Sequence, residues 1–147
     1  MLNSNMLEKA IRIAATAHAG QFDKGGMPYI LHPLKVMHYL KSKDLELMAI
    51  AVLHDVVEDT DITLDFLVND AKLSYRIIKG VDALTKLKGE DYNAYKERIK
   101  SNPDAVKVKM ADLRHNTDIR RLKGIEDKDI ARVAKYHEFY MELKGLV

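Results

Sequence analysis

The sequence contains no cysteine and no tryptophan. Without thiols there is no disulfide, no thiolate nucleophile and no Cys-based zinc site, so a transition metal would have to be held by histidine and carboxylate. Six histidines are available. Long apolar runs are lacking as well. The run from Met48 to Leu53 falls far short of the roughly 20 residues a membrane-spanning helix requires. The stretch from Met1 to Lys9 is polar, with no apolar secretory core behind it, so the expectation is a cytoplasmic protein without a membrane partner. Nor is there a large excess of charge of one sign. A net charge of +2 is too small to imply a nucleic-acid partner.

What is present fits one compact domain over residues 1–147. A chain of 147 residues with a 47% hydrophobic fraction is long enough to bury roughly two thirds of its unfolded surface. Apolar residues recur mostly at helical spacing, and no stretch alternates with period two, so the expected fold class is all-α. The first helix is expected from about Asn5 to Ala19, with Leu7, Ala10, Ile11 and Ala14 on one stripe. Residues 21–32, rich in glycine and containing Pro28, read as a loop. Pro33 suits the first turn of a helix to about Lys41 and pushes His32 out of the helical region, to the helix entrance. Further helices are expected from Asp44 to Glu58, Thr63 to Asn69 with Thr63 as N-cap, Ser74 to Leu84, Asp91 to Lys100, Pro103 to Leu122, and Asp127 to Lys144.

The charges are unevenly placed. Between His54 and Asp70 stand Asp55, Glu58, Asp59, Asp61, Asp65 and Asp70 with no Lys or Arg, whereas residues 103–123 carry six cations against three acids. Two solvated helix faces would account for this. If the segments meet, they form a cation-binding centre rimmed by basic groups, which suits a phosphorylated anion.

The chemistry concentrates in Leu53-His54-Asp55-Val56-Val57-Glu58-Asp59-Thr60. On one continuous helix His54 lies near Glu58 and Asp55 near Asp59. These groups follow a buried apolar run, and burying carboxylates costs several kcal/mol unless a counter-charge is supplied, which a divalent cation does. Imidazole nitrogen beside carboxylate oxygen suits Mn, Fe, Co or Zn. His32, before Pro33, and Asp112, in Lys109-Met110-Ala111-Asp112, are candidates to complete the set. His18, His38 and His137 read as core or surface residues.

Three ordered motifs spread over about a hundred residues carry a resemblance: His18 with Pro28-Tyr29-Ile30 and His32-Pro33, then Leu53-His54-Asp55 with Glu58-Asp59-Thr60, then Lys109-Met110-Ala111-Asp112 with His115-Asn116. Together they resemble the hydrolase domain of RelA/SpoT-type alarmone enzymes within the HD superfamily. The resemblance implies an all-helical HD fold with one Mn²⁺ held by His32, His54, Asp55 and Asp112. It implies that Glu58 and Asp59 handle the attacking water, and that the 3′-pyrophosphate of guanosine tetra- or pentaphosphate is removed. With a chain of this length the expectation is a small, hydrolase-only member. Lys24 and Lys109 are candidates to hold phosphates, and Asn116 matches a nucleotide-contacting Asn of the family.

The chain departs from the family pattern at three places. Asp23 stands where relatives place an Arg that packs on guanine; Asp cannot stack and would repel phosphate. Leu113-Arg114 reverses the usual order, which moves the cation about 100° around a helix. Ile119 replaces a frequent Thr. An HD phosphohydrolase of another nucleotide, or a module that binds a nucleotide without cleaving it, are therefore the alternative readings.

Overall fold

The computed structural model describes residues 2–147. Nine α-helices follow one another among these residues: α1 (Leu2–Ala17), α2 (Leu31–Tyr39), α3 (Leu45–Leu53), α4 (Val56–Asp59), α5 (Leu64–Asn69), α6 (Tyr75–Leu84), α7 (Tyr92–Lys100), α8 (Pro103–Asn116) and α9 (Asp127–Lys144). One 3₁₀ turn, Ile119–Arg121, links the last two. The all-α expectation holds, the one β-type pairing among the described residues being an isolated bridge between Phe22 and Pro28. Among the described residues no helix is long and apolar enough to cross a membrane.

The helix starts follow from side chains that accept the otherwise unpaired first-turn amides. Asp44, Thr63, Ser74, Asp91 and Asn102 each cap the helix that follows them. At α9, Glu126 and Asp129 cap reciprocally.

Helix α3 is apolar apart from Glu46 in its first turn and lies at the centre, packed by α1, α2, α6 and α8. Its neighbour α6 approaches through Gly80. A Cβ built there would stand 2.6 Å from Ile50 Cδ1 and 2.9 Å from Cγ2. Gly80→Ala is therefore expected to destabilise the fold by about 1–3 kcal/mol, as overpacking a filled core does, although alanine suits a helix better than glycine. A denaturation midpoint equal to wild type would show that Ile50 can move aside.

The expected boundaries of four helices are corrected. The helix from Asp44 to Glu58 breaks at the His54-Asp55 doublet, because the His54 ring takes the Ala51 carbonyl (Nδ1 to O, 2.6 Å) that a continued helix would offer to the Asp55 amide. Asp55 adopts φ −105°, ψ −2°, so Glu58 does not sit one regular turn beyond His54. The helix from Pro103 to Leu122 likewise stops at Asn116, and Asp118 caps the separate 3₁₀ turn. His32 lies inside the first turn of α2, not ahead of it. Its amide bonds to the Tyr29 carbonyl (2.9 Å) and that of Leu34 to Ile30 (3.3 Å), which overrides the extended preference of a residue before proline. The first helix starts at Leu2 and ends at Ala17, slightly earlier than expected at both ends.

Candidate metal centre

Three elements converge at one end of the buried α3. Helix α2 supplies His32, the break after α3 supplies His54 and Asp55, and α8 supplies Asp112. One ligand atom from each lies within 4.8 Å of the others. His32 Nε2 is 2.8 Å from Asp112 Oδ1 and 3.6 Å from Asp55 Oδ2; His54 Nε2 is 3.0 Å from Asp55 Oδ2 and 3.2 Å from Asp112 Oδ1. Donors each about 2.1 Å from a shared ion stand roughly 3–3.5 Å apart, so these residues fit a divalent cation in both spacing and chemistry. His32, His54 and Asp112 are almost fully buried.

The second nitrogen of each imidazole is occupied, and this orients the first. His54 Nδ1 faces the Ala51 carbonyl, which can only accept, so Nδ1 carries a proton and Nε2 is the nitrogen an ion would engage on displacing its proton. His32 Nδ1 lies 2.7 Å from His115 Nδ1, with the two rings stacked. Burial, together with nearby Arg121 and His32, pushes His115 down to about 4, so it is neutral near pH 7 and can accept the His32 Nδ1 proton.

The charges at the cluster report a demand for positive charge. Burial opposes ionisation of His54, yet Asp55 and Asp112 hold its protonated form well above the ordinary histidine range. Burial likewise works against the Asp112 carboxylate, but Lys109 and His54 keep it well below the usual range. Lys109 Nζ sits 3.0 Å from Asp112 Oδ2, and Asn116 Nδ2 donates to Oδ1 at 3.0 Å. Tyr29 donates its hydroxyl to Asp55 Oδ2 at 2.5 Å, and burial plus that carboxylate raise its pKa, keeping the donor proton in place.

Beside the cluster a cleft of about 250 Å³ opens between the 18–30 loop, the 3₁₀ turn and α9. Tyr29 and Asn116, which touch Asp55 and Asp112, line its inner end; Lys24, Arg121 and Arg132 supply cations, and Phe22, Ile119 and Tyr136 supply apolar wall.

A family model described as HD domain matches residues 10–123. The chain belongs to the HD-domain family. The His32, His54-Asp55 and Asp112 motifs all fall inside the matched stretch. Among curated relatives, a probable GTP pyrophosphokinase of Mycobacterium leprae is 31% identical over 90% of this chain and 18% of its own length. A guanosine-3′,5′-bis(diphosphate) 3′-pyrophosphohydrolase of Haemophilus influenzae is 36% identical over 84% and 20%. The bifunctional (p)ppGpp synthase/hydrolase SpoT of Escherichia coli K12 is 33% identical over 88% and 20%. The chain thus spans about a fifth of the length of these relatives. A solved structure of a metazoan SpoT ortholog, described as hydrolysing ppGpp with a role in starvation responses, superposes with a TM-score of 0.77 over 94% of this HD-domain chain and 84% of that one. At 23% identity the match establishes a shared fold.

Within this HD domain the other expected site residues are placed differently. Glu58 and Asp59 face solvent on α4. Glu58 Oε1 accepts the Lys86 amide at 2.8 Å. Partial burial and the neighbouring Asp55 and Glu58 carboxylates push Asp59 up to about 6. Lys24 and Asn116 line the cleft. Lys109 does not; its ammonium is buried 3.0 Å from Asp112 Oδ2 and lies 5.5 Å from the Tyr95 ring centre. Arg114 points away and stacks on Tyr39, 4.0 Å from the ring centre. Asp23 does not stand as a bare anion. Its Oδ1 accepts the Met27 amide at 2.9 Å and its Oδ2 pairs with Arg121 at 3.3 Å.

Four participants lay outside the expected set: Tyr29, His115, Arg121 and Arg132. Tyr29 and His115 belong to the same short motifs as His32 and Asp112, so proximity along the chain was an available signal. Arg121 was legible only as one of the six cations of residues 103–123, since its position depends on the 3₁₀ turn.

Proposed function

We propose that this chain, folded as one domain over residues 1–147, is a Mn²⁺-dependent hydrolase that removes the 3′-pyrophosphate of guanosine tetra- or pentaphosphate. The observation that carries the reading is the junction of a buried two-His, two-Asp cluster with a cation-lined, apolar-walled cleft, joined through Tyr29 and Asn116. The names of the curated relatives support the same reaction. A nucleotide substrate of this kind implies a cytoplasmic site of action.

In this reading His32, His54, Asp55 and Asp112 hold the ion. When bound, it supplies Lewis-acid polarisation of a phosphoryl oxygen and neutralises developing charge. Tyr29 and Lys109 fix the two carboxylates, while His115 and the Ala51 carbonyl fix the imidazoles, so the donor set is organised before substrate arrives. Asp59 and Glu58, at the solvent side, orient and deprotonate the attacking water. Lys24 draws phosphate toward the cluster, and Asn116 meets the nucleotide at the cleft's inner end.

Asp23, which motivates a wider nucleotide specificity, is paired with Arg121, so the cleft keeps a guanidinium despite the substitution. A merely binding module has no use for the two carboxylates on α4. The test is an assay of purified protein with Mn²⁺ against a nucleotide panel. Guanosine tetraphosphate is expected to yield guanosine diphosphate and pyrophosphate, faster than any 5′-mononucleotide is hydrolysed. Faster turnover of mononucleotides would overturn the alarmone reading in favour of a general nucleotide phosphohydrolase.

A further inference from the structure

We propose that Arg121 selects guanine over adenine in the cleft, and that in the 18–30 loop Asp23 holds its guanidinium while Gly25 lets the loop pack on its backbone. The inference rests on the nucleotide reading above and adds the residue that reads the base.

The cleft has the shape and chemistry of a base seat. Phe22, Ile119, Leu122, Val133 and Tyr136 offer apolar and aromatic surface, and Phe22 and Ile119 remain 66% and 45% exposed. Apolar side chains held open at the mouth of a slot can cover a flat aromatic ligand. The metal cluster lies past Tyr29 and Asn116 at the inner end, and Lys24 lines the same cleft. A nucleotide whose phosphates reach the cluster therefore leaves its base among these walls.

Arg121 is the guanidinium built into that seat. Its Nη1 donates to the His115 carbonyl and to Asn116 Oδ1, both at 3.1 Å, and its Nη2 donates to Asp23 Oδ2 at 3.3 Å. Three of its five N–H donors are thereby engaged. The Nε–H and one Nη2–H have no acceptor among the described residues. Two free neighbouring donors match the N7 and O6 acceptors on one edge of guanine, whereas adenine offers N7 beside an amine that is itself a donor. The anchoring is unusually close. Asp23 ties Arg121 at its side chain, and Gly25 lies so near the Arg121 carbonyl that any Cβ at residue 25 would overlap it. Burial works to raise the Asp23 carboxyl, but the Met27 amide and Arg121 outweigh it and keep it ionised. The loop thus grips residue 121 at both ends. It also follows that Asp23→Arg alone would set two guanidinium groups against each other.

The experiment measures equilibrium binding of guanosine diphosphate and adenosine diphosphate by calorimetry in saturating Mn²⁺, with no chemical step involved. Wild type is expected to prefer the guanosine nucleotide by about 5- to 150-fold, the range of a bidentate Arg–guanine contact. Arg121→Lys keeps the charge but not the planar fork. It is expected to bring the ratio close to one while metal content and melting temperature stay at wild-type values. Asp23→Asn, which retains an acceptor for Met27 and loses the ion pair, is expected to lower the ratio as well. A wild-type ratio near one, or a ratio that survives Arg121→Lys, overturns the proposal. Protein that discriminates between the bases but leaves guanosine tetraphosphate intact would overturn the hydrolase reading alone. Protein that hydrolyses it without discriminating would overturn this inference alone.

Discussion

His54→Ala and Asp112→Asn are each expected to abolish turnover and metal retention together. Disturbing an outer partner of a metal ligand lowers affinity about 10- to 100-fold, and removing a ligand should exceed that range. The consequences differ in detail. His54→Ala deletes an imidazole whose Nε2 faces Asp55 and Asp112 at 3.0 and 3.2 Å. Asp112→Asn removes the charge that Lys109, His32 and His54 all address, leaving the buried Lys109 ammonium without its carboxylate. The second variant should therefore be the less stable, since an uncompensated buried charge costs several kcal/mol. Elemental analysis checks the metal, and calorimetric melting with and without a chelator checks the linkage. An ion at 100 times its dissociation constant stabilises the native state by about 2.7 kcal/mol. Active protein free of metal, or a melting temperature indifferent to chelation, would refute the assignment of the cluster as an ion site.

Glu58→Gln and Asp59→Asn should separate proton transfer from metal binding. Each keeps the shape of its side chain and removes a base, so turnover is expected to fall by about 10² to 10⁴, with metal content close to wild type. The pH profile supplies a second readout. Asp59 must be ionised to accept a proton, and its carboxyl is pushed up to about 6, so turnover should decline as pH falls through that region. A bound ion offsets part of the Asp55 charge that raises this group, which moves the acid limb to pH 6 or somewhat below. Asp59→Asn should remove the limb along with the rate. Glu58 has a structural duty as well, through the Lys86 amide, and glutamine retains an acceptor for it. Wild-type turnover with full metal in both variants would mean that the water is activated elsewhere.

Much of this molecule was legible in one dimension because the relevant physics is local. Helix-capping side chains and apolar spacing placed most of the helices, as at Thr63. His54 and Asp55 stood out as a doublet in one short motif, whereas His32 and Asp112 were candidates that the family resemblance joined to it and the fold brings within 4.8 Å. Charge bookkeeping along the chain left two readings open, solvated helix faces or a cation centre beside basic groups, because it does not say whether the two segments meet.

Tertiary structure decided the rest, wherever a residue's role depends on which partner reaches it first. The Ala51 carbonyl is taken by the His54 ring, so the helix breaks and Glu58 leaves the position that helical spacing assigns to it. Lys109, a candidate to hold phosphate, sits 3.0 Å from Asp112 and serves as the counter-charge of that buried carboxylate. Asp23 and Arg121 are 98 positions apart, and no local pattern relates them. Chain composition determined that any metal would have to be held by nitrogen and oxygen, and the ordered motifs supplied the candidate donors that the fold gathers. Long-range pairing alone determined which charges remain free to meet a substrate, because ion pairs and hydrogen bonds act over a few ångströms in space regardless of separation along the chain.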